Sequence, residues 1–269
     1  MSGVITSTQN ETIKEIERLK TTKGRKEAQA YLLEGVRFLE EALKSGARIR
    51  QAFFTSRMFE TDRTKVLMDQ LKTQCVLLQE VSEHVLKKIS DTDSPQGVVV
   101  VMEKPQSEET AFFEPSIGMA ILLEEIQDPG NLGTILRTAY AAGVKEIFLS
   151  KGTVDPFNPK ALRSTMGAIF NLRLHTGVDS IEIINMARSQ GYKALVADLH
   201  KAEPYYEVDF NEKFLLVMGN EAQGLNSETI EACNKAIKIP MPGGAESLNV
   251  SLATGIILFE ALRQRAQCL

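Results

Sequence analysis

The sequence predicts an α/β protein in which a small front unit precedes a larger unit built on a mostly parallel sheet. Short apolar runs alternate with amphipathic segments, most regularly in the second half, and this alternation is typical of strands joined by covering helices. A Pro-, Glu- and Ser-rich stretch, EKPQSEETAFFEPS, separates the two halves and has the composition of a linker. We therefore predict a first domain at 1–104, a linker at 105–117 and a second domain at 118–269.

The first domain is predicted to be a compact α/β unit. Gly46 ends one amphipathic run and suits a helix C-cap, and Ser82 begins another and suits an N-cap. Residues 20–26 are polar and include a glycine, so we expect a loop there. The expected elements are a helix at 9–20, a strand start and helix at 31–46, a strand at 49–55, a helix at 64–72, a strand at 75–78, a helix at 82–89 and a strand at 97–102.

The second domain alternates strand and helix to its end, which predicts a parallel sheet covered on both faces. In such sheets ligands bind at the carboxyl ends of the strands. The expected strands are 120–124, 146–150, 170–174, 193–197, 214–219 and 236–239, and the expected helices are 133–142, 159–168, 180–190, 226–234 and 249–264.

Composition excludes several classes of protein. The chain has 269 residues, 43% of them hydrophobic and 25% charged, as in a soluble globular protein. No apolar run approaches the ~20 residues of a membrane span, and the N-terminus has no apolar signal region. Cys75, Cys233 and Cys268 lack CxxC spacing, so we expect reduced thiols and a cytoplasmic protein. No histidine has metal-ligand spacing, so we predict no metal site.

The charge is unevenly distributed. The formal net charge is −4, yet residues 1–104 hold 17 Lys+Arg against 15 Asp+Glu. Six basic residues fall between Lys14 and Lys26. Such a run is compatible with RNA contact, although it is more often a solvated helix face.

Three loops at expected strand ends carry polar side chains. The first, QDPGNLGTILRT, places Arg137 six residues after Asn131, so both can face the strand ends; the alternative is a turn followed by a surface arginine. The second, GNEAQGL, begins at Gly219 and has the glycine spacing of a phosphate loop, but Leu225 replaces the required lysine. Neither GxGxxG nor GxSxG occurs in the chain.

The third loop, PMPGGAESLN, leads into a helix that is apolar on nearly all sides, and we expect that helix to be buried. Ser247 and Asn249 precede it. These side chains can cap the helix, and its free N–H groups can hold a ligand. An ordinary cap on a core helix is the alternative.

Together, and in this order, the loops resemble the three motifs of the SpoU/TrmH class of RNA ribose 2′-O-methyltransferases. The likeness covers Ala120 to Gln267 and rests on DPGNLGTILRTAYAAGV, VMGNEAQGL and IPMPGGAESLNVSLATGIILFEALRQ. Residues 158–168 look like the family's substrate-side motif, with Thr165 where serine is more usual. Residues 1–104 are similar, less specifically, to the ribosomal-protein-like α/β domain that many members use to hold RNA.

The resemblance implies a fold and an activity that the pattern alone does not. Pattern predicts an open doubly wound sheet, whereas the family ties its C-terminal segment into a deep trefoil knot, a rare exception to unknotted topology. The knotted loops hold S-adenosylmethionine, and members work as homodimers whose active sites use both chains. The implied partner is RNA, and ribosomal RNA is preferred to transfer RNA by analogy with the front domain.

Matching positions give the expected site residues. Gly219, Ile239, Leu248 and Asn249 would hold the cofactor, with glycine at 219 permitting its close approach. The catalytic set would be Asn131, Arg137, Glu221, Ser247 and Asn249, and the RNA-binding set Lys23, Arg25, Lys26 and Arg163.

We expect Arg137 to clamp the phosphate or the developing alkoxide, because a guanidinium scarcely loses its proton. Asn131, Ser247 and Asn249 would orient the ribose, and Glu221 would fix Arg137 or a neighbouring loop; a purely structural Glu221 is the alternative. Three other functions stay open: a transfer RNA methyltransferase, a non-catalytic RNA-binding or assembly protein, and a base methyltransferase. The sequence does not name the nucleotide, and it gives no account of residues 200–211.

Overall fold

The computed structural model describes residues 3–105, 118–198, 202–220 and 223–266. The chain divides into two compact units, Met1–Gln106 with Phe157–Phe170, and Ser107–Pro156 with Asn171–Leu269. The sequence predicts a continuous second domain at 118–269, whereas in the structure 157–170 packs with the first unit. The reason is visible at Phe157, which is buried and whose ring centroid lies 4.6 Å from that of Tyr31.

The first unit is a four-stranded sheet with helices around it. The strand order is β1-β4-β2-β3, and only the β2–β3 pair is parallel. The first helix, residues 11–18, is amphipathic, and the second, residues 22–28, is capped by the residues next to its two ends. The elements are α1 (Glu11–Arg18), α2 (Thr22–Ala28), β1 (Ala30–Glu34), α3 (Val36–Ser45), β2 (Ile49–Phe54), α4 (Asp62–Thr73), β3 (Leu77–Glu80), α5 (Glu83–Ile89) and β4 (Val98–Glu103), joined later by α7 (Pro159–Thr165).

Helix α2 replaces the loop expected at residues 20–26. Thr21 caps it by accepting a hydrogen bond from the Gly24 N–H, and Gln29 ends it in the left-handed conformation. A Cβ on Gly24 would lie 2.1 Å from the carbonyl oxygen of Arg18, so glycine marks a close approach of two chain segments rather than a loop. The predicted caps at Gly46 and Ser82 are both present.

The second unit is a seven-stranded, fully parallel sheet in the order β7-β6-β5-β10-β8-β11-β9. Residues of β5 alternate between two buried clusters, one on each face of the sheet, as predicted for a covered parallel sheet. The elements are β5 (Met119–Leu123), α6 (Pro129–Ala141), β6 (Glu146–Ser150), β7 (Arg173–Val178), α8 (Ser180–Ser189), β8 (Lys193–Ala197), β9 (Glu203–Pro204), β10 (Phe214–Met218), α9 (Ser227–Ala232), β11 (Lys235–Lys238) and α10 (Val250–Ala266).

Strand β9 and its contacts account for the path of residues 202–211, which the sequence pattern does not explain. It pairs with β11 at the sheet edge, and Glu203 forms an ion pair with Lys235. Gln264 of α10 donates to the Val208 carbonyl and accepts from the Phe210 N–H, each at 3.0 Å. The last turn of α10 therefore fixes this irregular segment. Residues 200 and 201 lie outside the described residues.

Helix α10 is not buried on all sides, which corrects the expectation from its apolar sequence. Ile257, Leu258 and Ala261 are buried, but Leu252 is 54% and Phe259 is 48% exposed. One face packs on the sheet and α6, and an apolar stripe is left open in the single chain. No helix among the described residues is long and apolar enough to cross a membrane.

Candidate active site

The three polar loops lie at the carboxyl edge of the parallel sheet. They follow β5, β10 and β11 respectively. Strands β5 and β10 are hydrogen-bonded neighbours, and the Glu124 N–H donates to the Met218 carbonyl at 2.9 Å where both strands end. The fold therefore brings the first two loops side by side, at the edge where ligands bind in such sheets.

Helix α6 begins at Pro129, four residues before the predicted start at residue 133. Asp128 caps it by accepting the Asn131 N–H at 2.8 Å, and proline suits the first helical position. Asn131 therefore lies inside the helix. Two residues six positions apart in a helix differ by about 120° in direction around the axis and by ~9 Å along it. Asn131 and Arg137 therefore do not share a helix face, contrary to the expectation from the sequence.

Asn131 and Asn249 meet in the fold, although 118 residues separate them. The Asn249 Nδ2 donates to the Asn131 Oδ1 at 2.9 Å. The Asn249 Oδ1 also accepts the Ser251 N–H at 2.9 Å and so caps α10. The cap expected at Asn249 is therefore present, and the same amide joins the first loop to the third through its nitrogen; its contact with the ribose or cofactor stays a prediction.

Arg137 is exposed on the third turn of α6. Among the described residues its guanidinium has no hydrogen-bond or ion-pair partner. Tyr140, one turn further along the same helix, is also exposed, at 43%. Arg137 is therefore an exposed cation with no partner in the described part of the chain.

The second loop folds back on itself. Asn220 and Gly224 exchange two backbone hydrogen bonds of 3.1 and 3.0 Å, and Gly224 has φ +71°. A Cβ on Gly219 would lie 2.5 Å from the Leu225 Cγ and 2.8 Å from the Gly224 carbonyl carbon. Glycine at 219 is thus required by the packing of Gly224 and Leu225 against it, and its role in close approach of the cofactor stays a prediction. Glu221 lies outside the described residues.

The third loop presents the remaining predicted groups. Ser247 is exposed, while Leu248 and Ile239 are half-buried, and Ile239 packs against the core of the sheet. Half-buried apolar side chains beside free backbone groups suit a flat aromatic ring and a ribose.

Two side chains that fasten these loops, those of Glu124 and Asn220, are not predicted from the sequence. Glu124, only 8% exposed, accepts hydrogen bonds from residues that start α9. The Asn220 Nδ2 donates to the Glu125 carbonyl at 2.8 Å. The available signal was an acidic residue ending the apolar strand AILLE, because an unpaired carboxylate is rarely buried.

The predicted RNA-binding side chains belong to the first unit. Arg25 is 1% exposed, and its guanidinium donates to the carbonyls of Leu19 and Lys20, so the RNA-binding prediction for Arg25 is wrong. Lys23 and Lys26 are exposed. Arg163 is partly exposed and forms an ion pair with Asp91.

Among the described residues, no group of three or more His, Cys, Asp or Glu side chains is placed to hold a metal ion.

Comparison with known proteins defines the class. The chain belongs to the SpoU rRNA Methylase family, whose model matches residues 118–259, and this confirms the resemblance drawn from the three loops. A second model, the MRM3-like substrate binding domain, matches residues 10–100.

Individual relatives extend along both units. The chain is 33% identical to the 23S rRNA (guanosine(2553)-2'-O)-methyltransferase RlmP of Bacillus subtilis, over 95% of this chain and 97% of that one. It is 31% identical to the human mitochondrial rRNA methyltransferase 3, over 87% of this chain and 67% of that one. An AdoMet-bound rRNA methyltransferase from Sinorhizobium meliloti superposes with a TM-score of 0.87 at 32% identity, over 97% of each chain.

Proposed function

We propose that the protein transfers a methyl group from S-adenosylmethionine to a ribose 2′-hydroxyl of ribosomal RNA. The observation that carries the proposal is the hydrogen bond between Asn131 and Asn249, which joins two motif loops at the ligand-binding edge of the sheet. Membership of the family confirms the predicted enzyme class, and the named relatives act on ribosomal RNA.

The residues at the edge fit the cofactor. Gly219, Ile239 and Leu248 offer backbone groups and half-buried apolar surface, which suit the adenine and ribose of S-adenosylmethionine. Asn249 adds an amide already held by Asn131 and by the α10 N-terminus. These groups would hold the cofactor without a charged side chain against the nucleoside.

Bound S-adenosylmethionine supplies a methyl group on a sulfonium, which a ribose oxygen can attack. The chain's own groups then have to position that oxygen and stabilise its charge. A guanidinium scarcely loses its proton in proteins, so we assign Arg137 the role of a clamp on phosphate or alkoxide rather than of a base. Asn131, Ser247 and Asn249 orient the ribose; Glu221, as predicted from the family, fixes Arg137 or its neighbouring loop.

We also propose a homodimer built on α10 and α6. Leu252 and Phe259 lie seven residues apart on α10, about 20° apart around the helix axis, so they form an exposed apolar stripe, and Leu262 on α10 and Tyr140 on α6 are exposed as well. Arg137 lies on the same helix as Tyr140 and on a different face from Asn131. A second copy on this surface would bury the stripe and bring the partner's Arg137 to the Asn131–Asn249 pair. The implied trefoil knot stays a prediction.

Co-expression of two differently tagged inactive chains tests this arrangement. If Arg137 serves the partner's site, a heterodimer of Arg137→Ala and Asn249→Ala keeps one intact site and recovers activity, while each homodimer stays inactive. If Arg137 served its own site, the heterodimer would be inactive as well. Phe259→Glu should shift the chain toward monomer in light scattering, and an unchanged dimer would remove α10 from the interface.

The first unit is proposed to hold the RNA through Lys23 and Lys26, with Arg163 joining after release from Asp91. Phosphate contacts of this kind weaken as salt rises. The cysteine pattern supports the cytoplasm as the compartment.

A site-resolved map of 2′-O-methyl groups in total rRNA and tRNA, from cells with and without the gene, tests the function. Loss of one rRNA signal, restored by the wild-type chain and not by Arg137→Ala, is the expected result. Loss of a tRNA signal would move the activity to transfer RNA, and a methylated base in place of ribose would move it to base methylation. A map unchanged in every growth condition would favour a non-catalytic RNA-binding role.

A further inference from the structure

A buried carboxylate lies directly after β5, beside the proposed cofactor loop. Glu124 is 8% exposed. Its Oε1 accepts the Asn226 backbone N–H at 3.2 Å, and its Oε2 accepts the Thr229 hydroxyl at 2.8 Å. Thr229 is itself only 2% exposed. Burial of a carboxylate is unfavourable unless hydrogen bonds replace its water, so these two donors are bound to Glu124 in a fixed arrangement.

Each end of the second loop is hydrogen-bonded to one of the two residues that follow β5. The start of the loop is bound to Glu125 and its end to Glu124. At the start of the loop, the Asn220 Nδ2 donates to the Glu125 carbonyl and the Asn220 Oδ1 accepts the Gln223 N–H at 3.0 Å. At its end, Glu124 holds Asn226. The two described parts of the loop, 219–220 and 223–226, are therefore both held by hydrogen bonds at the ends of β5 and β10.

Cys233 reports on the same junction from the other end of α9. It follows the last residue of that helix, and burial, with a smaller contribution from the Glu124 charge, raises the pKa of its thiol to about 12. The thiol is therefore neutral and slow to react at pH 8 while α9 stays seated.

We propose that Glu124 is a positioning residue, whose carboxylate holds Asn226 and Thr229 so that the backbone of residues 223–226 is in place beside Asn220 before S-adenosylmethionine binds. The inference rests on the proposed function. A loop that is formed only part of the time lowers apparent affinity by the fraction formed. Loss of the junction should thus weaken cofactor binding and leave the methyl-transfer step itself nearly unchanged once the site is saturated.

Thr229→Val is the test variant, because valine keeps the shape and removes one donor to Glu124. Thr254→Val is the matched control: Thr254 is equally buried, but its hydroxyl donates to the Val250 carbonyl of its own helix. Calorimetric titration of the full chain with S-adenosylmethionine should show Kd raised about tenfold for Thr229→Val and less than twofold for Thr254→Val, with kcat at saturating cofactor within about twofold of wild type, as expected for lost pre-organisation.

Two further measurements separate positioning from bulk stability. Alkylation of Cys233, mapped by peptide mass spectrometry, should be several times faster in Thr229→Val and should return toward the wild-type rate with saturating cofactor. Glu124→Gln keeps an oxygen for Asn226 and an amide for the Thr229 hydroxyl, so it should affect Kd less than Glu124→Ala does.

A lowered melting temperature with unchanged Kd and unchanged Cys233 reactivity in Thr229→Val would overturn the inference. If Thr229→Val does not fold, the ordering of Glu124→Gln and Glu124→Ala decides, and equal Kd values for the two would overturn it. Wild-type chain that binds no S-adenosylmethionine would instead overturn the proposed function.

Discussion

The two edges of the parallel sheet differ in how their charged groups are used. At the amino edge, the carboxylate of Glu146 is fully buried and is shared between Arg173 and His175, and the His175 ring stacks on Phe148. On the carboxyl side, helix α6 begins, and Arg137 on its third turn is exposed without a partner among the described residues; Ser247, in the third loop at the edge itself, is exposed too. Charges that already have partners stabilise the fold, whereas unpartnered charges at the ligand-binding edge are available to a substrate.

The amino edge is also closed by the C-terminus of the last helix. Arg265 donates to the carbonyls of Phe210, Glu212 and Gly118, and its guanidinium lies 5.4 Å from the centre of the Phe214 ring. A Cβ on Gly118 would lie 2.5 Å from the Arg265 Nη1. Substitutions at the two edges should therefore separate activity from stability.

The largest effect is expected on α6, the helix that begins at the carboxyl edge. Arg137→Ala should lower kcat about 100- to 1,000-fold, as removal of one pre-organised donor does, because α6 carries no other cation. The Kd for S-adenosylmethionine should stay within about twofold of wild type, since the proposed role of the guanidinium is toward the RNA and not the cofactor. Single-turnover methyl transfer and calorimetry measure the two values, and a parallel loss of both in a folded variant would refute the assigned role.

The next largest effect is expected at the amino edge. Glu146→Ala should lower the free energy of unfolding by about 3 kcal/mol, the lower end for breaking a buried ion pair, because Arg173 is half exposed and can be solvated. Glu146→Gln, which keeps acceptor and shape, should cost less. Chemical denaturation gives the values. The Kd for the cofactor should not change in the folded fraction, and a clear rise would mean that the two edges are coupled.

A smaller effect is expected for the clamp on the C-terminal helix. Arg265→Ala should lower stability by about 2 kcal/mol, because three carbonyls lose a charged donor but can partly be hydrated. Arg263→Ala is the control: its guanidinium pairs with Glu260 on the same helix surface, and such pairs contribute within about 0.5 kcal/mol. Equal losses for the two variants would show that the clamp is not structural.

The smallest effect is a gain at the carboxyl edge. Glu125 has φ +53°, although its side chain is exposed. A left-handed residue costs about 1–2 kcal/mol, and glycine removes that strain while adding roughly 0.5–1 kcal/mol of unfolded-state entropy. Glu125→Gly should thus raise stability by about 0.5 kcal/mol, and Glu125→Val should lower it. Equilibrium unfolding by denaturant measures both, and a less stable glycine variant would contradict this account.

Much of the architecture followed from local signals. The second-unit strands at 146–150 and 193–197 match their predicted bounds, because turn residues on both sides of each apolar run mark where the strand begins and ends. Other bounds moved by up to four residues. Helix α6 starts at Pro129 because Asp128 caps it, whereas the sequence pattern predicts a loop through this aspartate and proline.

The site was predicted as a set of residues rather than as an arrangement. Asn131 and Asn249 were both named from their motifs, yet their contact depends on the packing of α6 against α10. Glu124 was not named, because its role depends on Asn226 and Thr229, which lie more than a hundred residues later.

Residue order and local conformational preference are enough to predict the family, the alternation of strand and helix, and which loops carry polar groups. The other features of the site and fold depend on tertiary packing. It joined Asn249 to Asn131, seated residues 157–170 in the first unit, and left one apolar stripe of α10 uncovered. These outcomes depend on which distant segments exclude water from a side chain, and no window along the chain contains both partners.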